Sequence, residues 1–200
     1  MGKKLLAGVL GGLAFWAWSA VAHMLLPLGE AGVKEMPNDQ TLMASMKAGL
    51  PHRGLYIFPG SGLPPTATRA ERQAAMNATF KKMATEPSGL LVYHPTRDVN
   101  FLRMLLTELG TNIVQMLLAV FLLSQTRLSG FGARWWFITM AGILAAISTN
   151  ISYWNWYGFP RLYTMSYTFT ILMGFVVAGV IAAAIVKPAA TMPSIRSAAA

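Results

Sequence analysis

The chain contains no cysteine. Disulfides, thiolate metal centres, iron–sulfur clusters and cysteine nucleophiles are therefore all excluded, and the redox compartment stays open. Charge is scarce as well. Asp, Glu, Lys and Arg make up 12% of the 200 residues, about half the share of an ordinary soluble domain, while 54% are hydrophobic. Such a composition points to lipid as the solvent. Acidic residues are the rarest, 7 against 16 Lys and Arg, for a formal charge of +9. No basic run is longer than a pair, and much of the excess flanks apolar segments, so the charge pattern selects anionic lipid over nucleic acid as partner. No nucleotide-binding loop, nucleophile elbow or paired-carboxylate pattern is present, and Gly60-Ser61-Gly62 is too short to cradle a phosphate.

What the chain does have is long apolar runs. Lys3-Lys4 precede an apolar stretch from Leu5 to Leu28, long enough at ~1.5 Å per residue to cross a ~30 Å hydrocarbon core. The triplet Ala20-Val21-Ala22 imitates a signal-peptide cleavage site, but the apolar run continues past it, and Trp16 and Trp18 make a bulky approach for a peptidase. A retained helix is the better reading. Three further spans follow: Phe101 to Ser124, Trp135 to about Ser152, and Tyr163 to Val186. The expected fold class is membrane all-α, a four-transmembrane-helix bundle with a small α+β extramembrane insert between helices 1 and 2. Its divisions are 1–28 for the first helix, 29–100 for the insert, 101–186 for the other three helices and 187–200 for a disordered cytoplasmic tail.

Orientation comes from the short flanks. Lys3, Lys4, Arg127, Arg134, Lys187 and Arg196 lie on one side against Arg161 alone on the other, which places both termini in the cytoplasm and the insert in the periplasm of a bacterial inner membrane. Within the insert, Asn38-Asp39 are placed to cap a helix through about Ala48, and Thr68-x-x-Glu71 is a capping box opening a helix towards Thr85. Two β-favouring runs closed by proline, 54–59 (GLYIFP) and 89–95 (GLLVYHP), are expected to pair, in parallel or antiparallel fashion. Two strands alone are marginal, so the insert is expected to rest its apolar face on the helices or on the membrane bundle.

Glu108 is the only carboxylate inside a span, about two turns from the outer boundary, and a charge in hydrocarbon usually faces a partner, a cavity or a proton path. Asn112 and Gln115 share its helical face, and Arg103 stands five residues away, an imperfect helical spacing for an ion pair. His23 and Asn150 fall at matching depth in the outer halves of the first and third spans. These five, Glu108, Asn112, Gln115, His23 and Asn150, form the candidate ligand or proton site. Against it stands the plainer reading, in which polar residues in spans serve as interhelical hydrogen-bond glue worth ~0.6 to 2 kcal/mol each. The segment 152–160 (SYWNWYGFP) carries five aromatics at the outer boundary. Trp154, Asn155, Trp156, Tyr157 and Arg161 are the candidate anchoring or interface residues there, and Trp135-Trp136 form the opposite belt. Gly8-x-x-x-Gly12 and Gly174-x-x-x-Ala178-x-x-x-Ala182 are small-residue patterns suited either to packing within the bundle or to association with another subunit. His23, His52 and His94 are too far apart for a shared helical metal face, so no metal and no cofactor is expected.

Residues 22–30 (AHMLLPLGE), 54–59, Tyr93-His94-Pro95 and 152–160 together resemble an uncharacterised family of small four-helix bacterial inner-membrane proteins. The resemblance implies a four-helix inner-membrane topology and carries no reaction, cofactor or functional residue. Three functions follow as expectations. The first is a non-enzymatic accessory or scaffold subunit of a larger membrane complex, whose partners are the lipid bilayer and other membrane subunits or further copies of itself. The second is a small transporter or ligand-binding protein with an outer-leaflet polar cavity around Glu108. The third is a lipid-acting membrane enzyme using His52 or His94.

Overall fold

Four apolar runs of this length can satisfy their backbone in lipid only as helices, and the computed structural model, which describes residues 2–186, forms four: α1 (Gly2–Met24), α4 (Phe101–Leu123), α5 (Phe131–Tyr157) and α6 (Arg161–Ile185). Each is long and apolar enough to cross a membrane. The architecture is that of a multi-pass helical membrane protein. Between α1 and α4 come α2 (Asp39–Gly49), β1 (Gly54–Phe58), α3 (Arg69–Met83) and β2 (Gly89–Tyr93). The chain divides into two compact units, one of 1–33, 100–155 and 159–200, the other of 34–99 with 156–158. The tail expected beyond Val186, with Lys187 and Arg196, lies outside the described residues.

In the first unit α1 packs on both α4 and α6, and glycine sets the distances. A Cβ on Gly12 would stand 2.5 Å from the Ile113 Cα, and one on Gly8 3.0 Å from the Leu117 Cα. Approach that close lets main chains gain dispersion contacts where no hydrophobic driving force separates helix from lipid tail. On the α6 side the ring of Phe15 lies over Gly174, so that a Cβ there would fall 1.3 Å from the ring, and Phe15 and Phe175 meet at 5.2 Å between centroids. Both small-residue patterns are thus spent inside the chain, and Ala178 and Ala182 are fully buried. The core continues through Met116, Val120 and Leu123 of α4 and Ile138 of α5.

The third span is longer than expected. Residues 153–157, read from the sequence as part of a loop, complete the last turn of α5. Their aromatics do not break a helix; Gly158, at φ 70°, does, because the left-handed conformation that ends a helix costs glycine little. The first span is shorter: α1 stops at Met24, and residues 25–33 turn back so that Gly29 lies on the His23 ring and Gly32, at φ 80°, on the Tyr163 main chain.

In the second unit the strands pair antiparallel, with Gly54 opposite Tyr93 and Phe58 opposite Gly89. The reason is chain length. α3 is ~22 Å long, and the loop 59–68 can reach ~33 Å, so the chain runs out along the loop and returns along α3 to the end of β1 that it left. The capping box forms as its spacing predicts: the Thr68 N–H and hydroxyl donate to Glu71 Oε2, both at 2.7 Å, and the Glu71 N–H donates to Thr68 Oγ1 at 3.3 Å. Asn38 does occupy the N-cap position of α2, but in a left-handed conformation and without a side-chain cap bond; Asp39 Oδ1 instead accepts the Gln40 N–H. Neither α2 nor α3 buries a residue completely.

Two outcomes are expected. Replacing Gly12 by Val sets a branched side chain against the Ile113 main chain, and should lower the resistance of the bundle to denaturing detergent by about 2 kcal/mol or more, read from a helicity titration. In the second unit, the side-chain and main-chain hydrogen bonds from Thr68 hold the Glu71 carboxyl below the usual carboxylate range. Its contribution to α3 is therefore present above the unfolded carboxylate pKa and is lost as pH falls through the depressed one. Amide protection at the start of α3 should decline on acidification in the native chain, and Thr68→Ala, which removes the hydroxyl but keeps the main-chain donor, should weaken that dependence.

Candidate functional site

The polar residues of the spans fall into separate groups. On α4 the buried stripe runs Asn112, Met116, Ala119, Val120 and Leu123, and Glu108 stands one turn before it on the same face. Asn112 is only 1% exposed, and its Nδ2 donates to Glu108 Oε1 at 3.3 Å. Glu108 itself is exposed. Its carboxylate thus takes the amide of Asn112 and is not paired with Arg103, whose main-chain N–H is held by the cap residue Asn100 at 2.9 Å. Gln115 is half-buried one turn further on.

Round the helix from Glu108, the surface of α4 turned away from the buried stripe is small and polar. Thr107, Gly110 and Thr111 are exposed. Both hydroxyls return to their own helix, Thr107 to Arg103 O at 2.8 Å and Thr111 to Thr107 O at 2.9 Å, and a Cβ on Gly110 would meet nothing within 4 Å. The positions 107, 110, 111 and 114 follow the i, i+3, i+4, i+7 spacing of one helix face.

The other candidates bond elsewhere. Asn150 is 6% exposed, yet its Nδ2 donates to Ala146 O of its own helix at 2.8 Å. His23 Nδ1 lies 2.8 Å from Ser19 O; since a carbonyl only accepts, Nδ1 carries the proton there. The ring meets Tyr167 edge-on at 6.3 Å, at one end of a file of rings that continues through Tyr163, Phe159 and Tyr153. Among the described residues no hydrogen bond joins His23 or Asn150 to Glu108. Trp154, Asn155, Trp156, Tyr157 and Arg161 are all exposed, the first four on the last turns of α5 and Arg161 as the first residue of α6. His52 and His94 flank the two strands at the edge where Gly54 faces Tyr93, and both are exposed. Among the described residues no group of three or more His, Asp or Glu gathers as a metal site would require.

Three ties that the pattern of apolar residues does not announce hold the helices together. Trp18 Nε1 donates to Thr170 O at 2.9 Å, joining α1 to α6. Trp135 Nε1 donates to Val176 O at 3.1 Å, so this residue is half-buried against α6, whereas Trp136 is exposed. Arg134, read from the sequence as a topology signal, is 9% exposed; Nε and Nη2 reach Ala183 O at 3.1 and 2.9 Å, and Nη1 reaches Ser129 O. A cation on the free carbonyls of the last turn of α6 is well placed by the helix dipole. Comparison with protein families, curated proteins and solved structures finds no match to the chain.

Replacing Trp18 by Phe keeps the ring but removes the donor to Thr170 O, and should cost about 1 kcal/mol of bundle stability in the same detergent titration, with helicity before the transition unchanged.

Proposed function

We propose that this protein is a non-enzymatic accessory or scaffold subunit of a bacterial inner-membrane complex, with both termini cytoplasmic, and that it docks through the exposed side of α4, one flank of which carries Glu108. One observation carries the reading. A carboxylate some ten ångströms into a span, about seven residues at 1.5 Å each, is exposed at the flank of the packed face of α4 with a single amide as partner. Facing lipid, such a group costs up to a few kcal/mol even on lenient insertion scales. A neighbouring transmembrane helix with a hydrogen-bond donor at that depth removes the cost. On the side of α4 turned away from the buried stripe, Thr107, Gly110 and Thr111 let a second backbone come close, as Gly8 and Gly12 do for α4 within the chain. The orientation rests on the Lys and Arg asymmetry of the short flanks. The exposed aromatics Trp154, Trp156 and Tyr157, with Asn155 and Arg161, suit headgroup anchoring on the outer side.

A second reading is supported by the same pair. The buried Asn112 amide fixes one carboxylate oxygen and leaves the other for a proton or a small cation, which would make Glu108 the centre of a transporter or ligand-binding site. Gly110→Leu and Glu108→Gln separate the two. Since a Cβ at Gly110 has free space, the leucine variant should fold as well as the parent chain, yet lose whatever subunit co-purifies with the parent in mild detergent. Glu108→Gln keeps a hydrogen-bonding group of the same shape, so it should retain that subunit, whereas it should abolish cation binding or proton coupling. A parent chain that purifies alone at native expression would remove the accessory-subunit reading.

A further inference from the structure

The second unit has the opposite problem to the spans: it is a small fold that fails to cover its own apolar residues. Tyr93, 9% exposed, is its one buried hydrophobic side chain among the described residues, and neither of its helices buries any. The register places Leu55 opposite Val92 and Ile57 opposite Leu90, and alternation puts these four on one face of the two-stranded sheet. That face is wholly aliphatic. Leu55, Ile57 and Val92 are 67%, 63% and 68% exposed. Alongside it α3 presents Met76 and Phe80, the latter 58% exposed, and together with Ile57, Pro59 and Leu63 they line an open groove of about 440 Å³. Arg72 stands at the rim, its guanidinium held by Ala67 O and Pro65 O at 2.9 and 2.6 Å.

We infer that this face is a membrane-binding surface, with Leu55, Ile57, Val92 and Phe80 entering the boundary between headgroups and acyl chains and Arg72 and Arg53 meeting lipid phosphates. Chain length is the first argument for a bilayer as the occupant. Only residues 94–100 separate β2 from α4, a span helix, and seven extended residues reach about 25 Å at most. Lipid is therefore always within reach, at an effective concentration no soluble partner attains. The entry to the span is the second: Val99, just before α4, and Phe101 and Leu102 in its first turn are 64%, 70% and 65% exposed, so the tether itself enters the span with apolar side chains. Charge is the third. Arg53 and Arg97 lie on the two chain segments at the edge of the sheet where Gly54 faces Tyr93, the edge from which the chain leaves for α4, and cations there complement anionic headgroups. A flat aliphatic patch rimmed by arginine has the composition of interfacial binding elements. None of this depends on the docking surface of α4, and the test needs no partner subunit.

Because the chain has no cysteine, single cysteines carry a probe without background. Leu55→Cys, Val92→Cys and, as a control on the opposite face of α3, Ala74→Cys are labelled with an environment-sensitive fluorophore. The full chain is then placed in nanodiscs of phosphatidylethanolamine and phosphatidylglycerol containing a shallow spin-labelled lipid. Labels at positions 55 and 92 should shift to the blue and lose roughly half of their emission to the lipid quencher, while the label at 74 stays open to aqueous iodide. In neutral phosphatidylcholine the quenching at 55 and 92 should fall, and Ile57→Asp should return both labels to water. Labels at 55 and 92 that iodide reaches as readily as position 74 would overturn the inference. So would labels shielded from iodide and from the lipid quencher alike, since that pattern means a protein surface, either the bundle of this chain or a second copy, covers the face.

Discussion

The close approach of α1 to its two neighbours is the constraint on which the bundle depends. In lipid a leucine gains nothing by leaving the acyl chains for another helix, so association must come from shape, and shape here is set where a side chain is missing. Gly8 and Gly12 admit the main chain of α4, and Gly174 admits the ring of Phe15. Polar ties then fix what the small residues allow. The indole of Trp18 holds α6 against α1, that of Trp135 holds α5 against α6, and the guanidinium of Arg134 closes the end of α6. Each bonds to a main-chain carbonyl, which any sequence supplies, so each fixes position without needing a matched side chain.

Against this economy Glu108 stands out. Apart from Asn112 and the Arg134 tie, the buried polar side chains of the spans either turn back to their own helix, as Asn150 does, or are short hydroxyls. Glu108 is long, ionisable and exposed, and its one partner is itself almost completely buried. Asn112 thereby links the packed interior of α4 to its outer surface: the residue that fills a place beside Met116 also orients the carboxylate. A structural role alone would be served by burying the carboxyl or by omitting it.

The second unit poses the same question with apolar groups. Its helices are capped and its strands paired, so its backbone is largely satisfied, yet its aliphatic face is not covered. Local rules suffice to form such elements, and the free energy to hold them together has to come from a surface outside the unit. For a chain tethered on both sides by span helices, the bilayer is a surface within reach.

Length, hydropathy and caps are local properties, and they made the four spans, the capping box at Thr68, the small-residue patterns and the two strands legible in the sequence. The singularity of Glu108 was legible for the same reason, since counting carboxylates in apolar runs needs no coordinates. The end of α5 was misjudged because aromatic density signals an interface as readily as a loop, and only the left-handed Gly158 ends the helix. Strand direction and the partners of Trp18, Trp135, Arg134, His23 and Asn150 could not be read, because helical spacing fixes which residues share a face but not which helix that face meets. Sequence alone determined that the chain lives in a membrane and where its charge is out of place. Tertiary structure alone decided that the glycine patterns are consumed within the chain and that Glu108 remains on the outside, because both depend on how the helices are rotated about their axes.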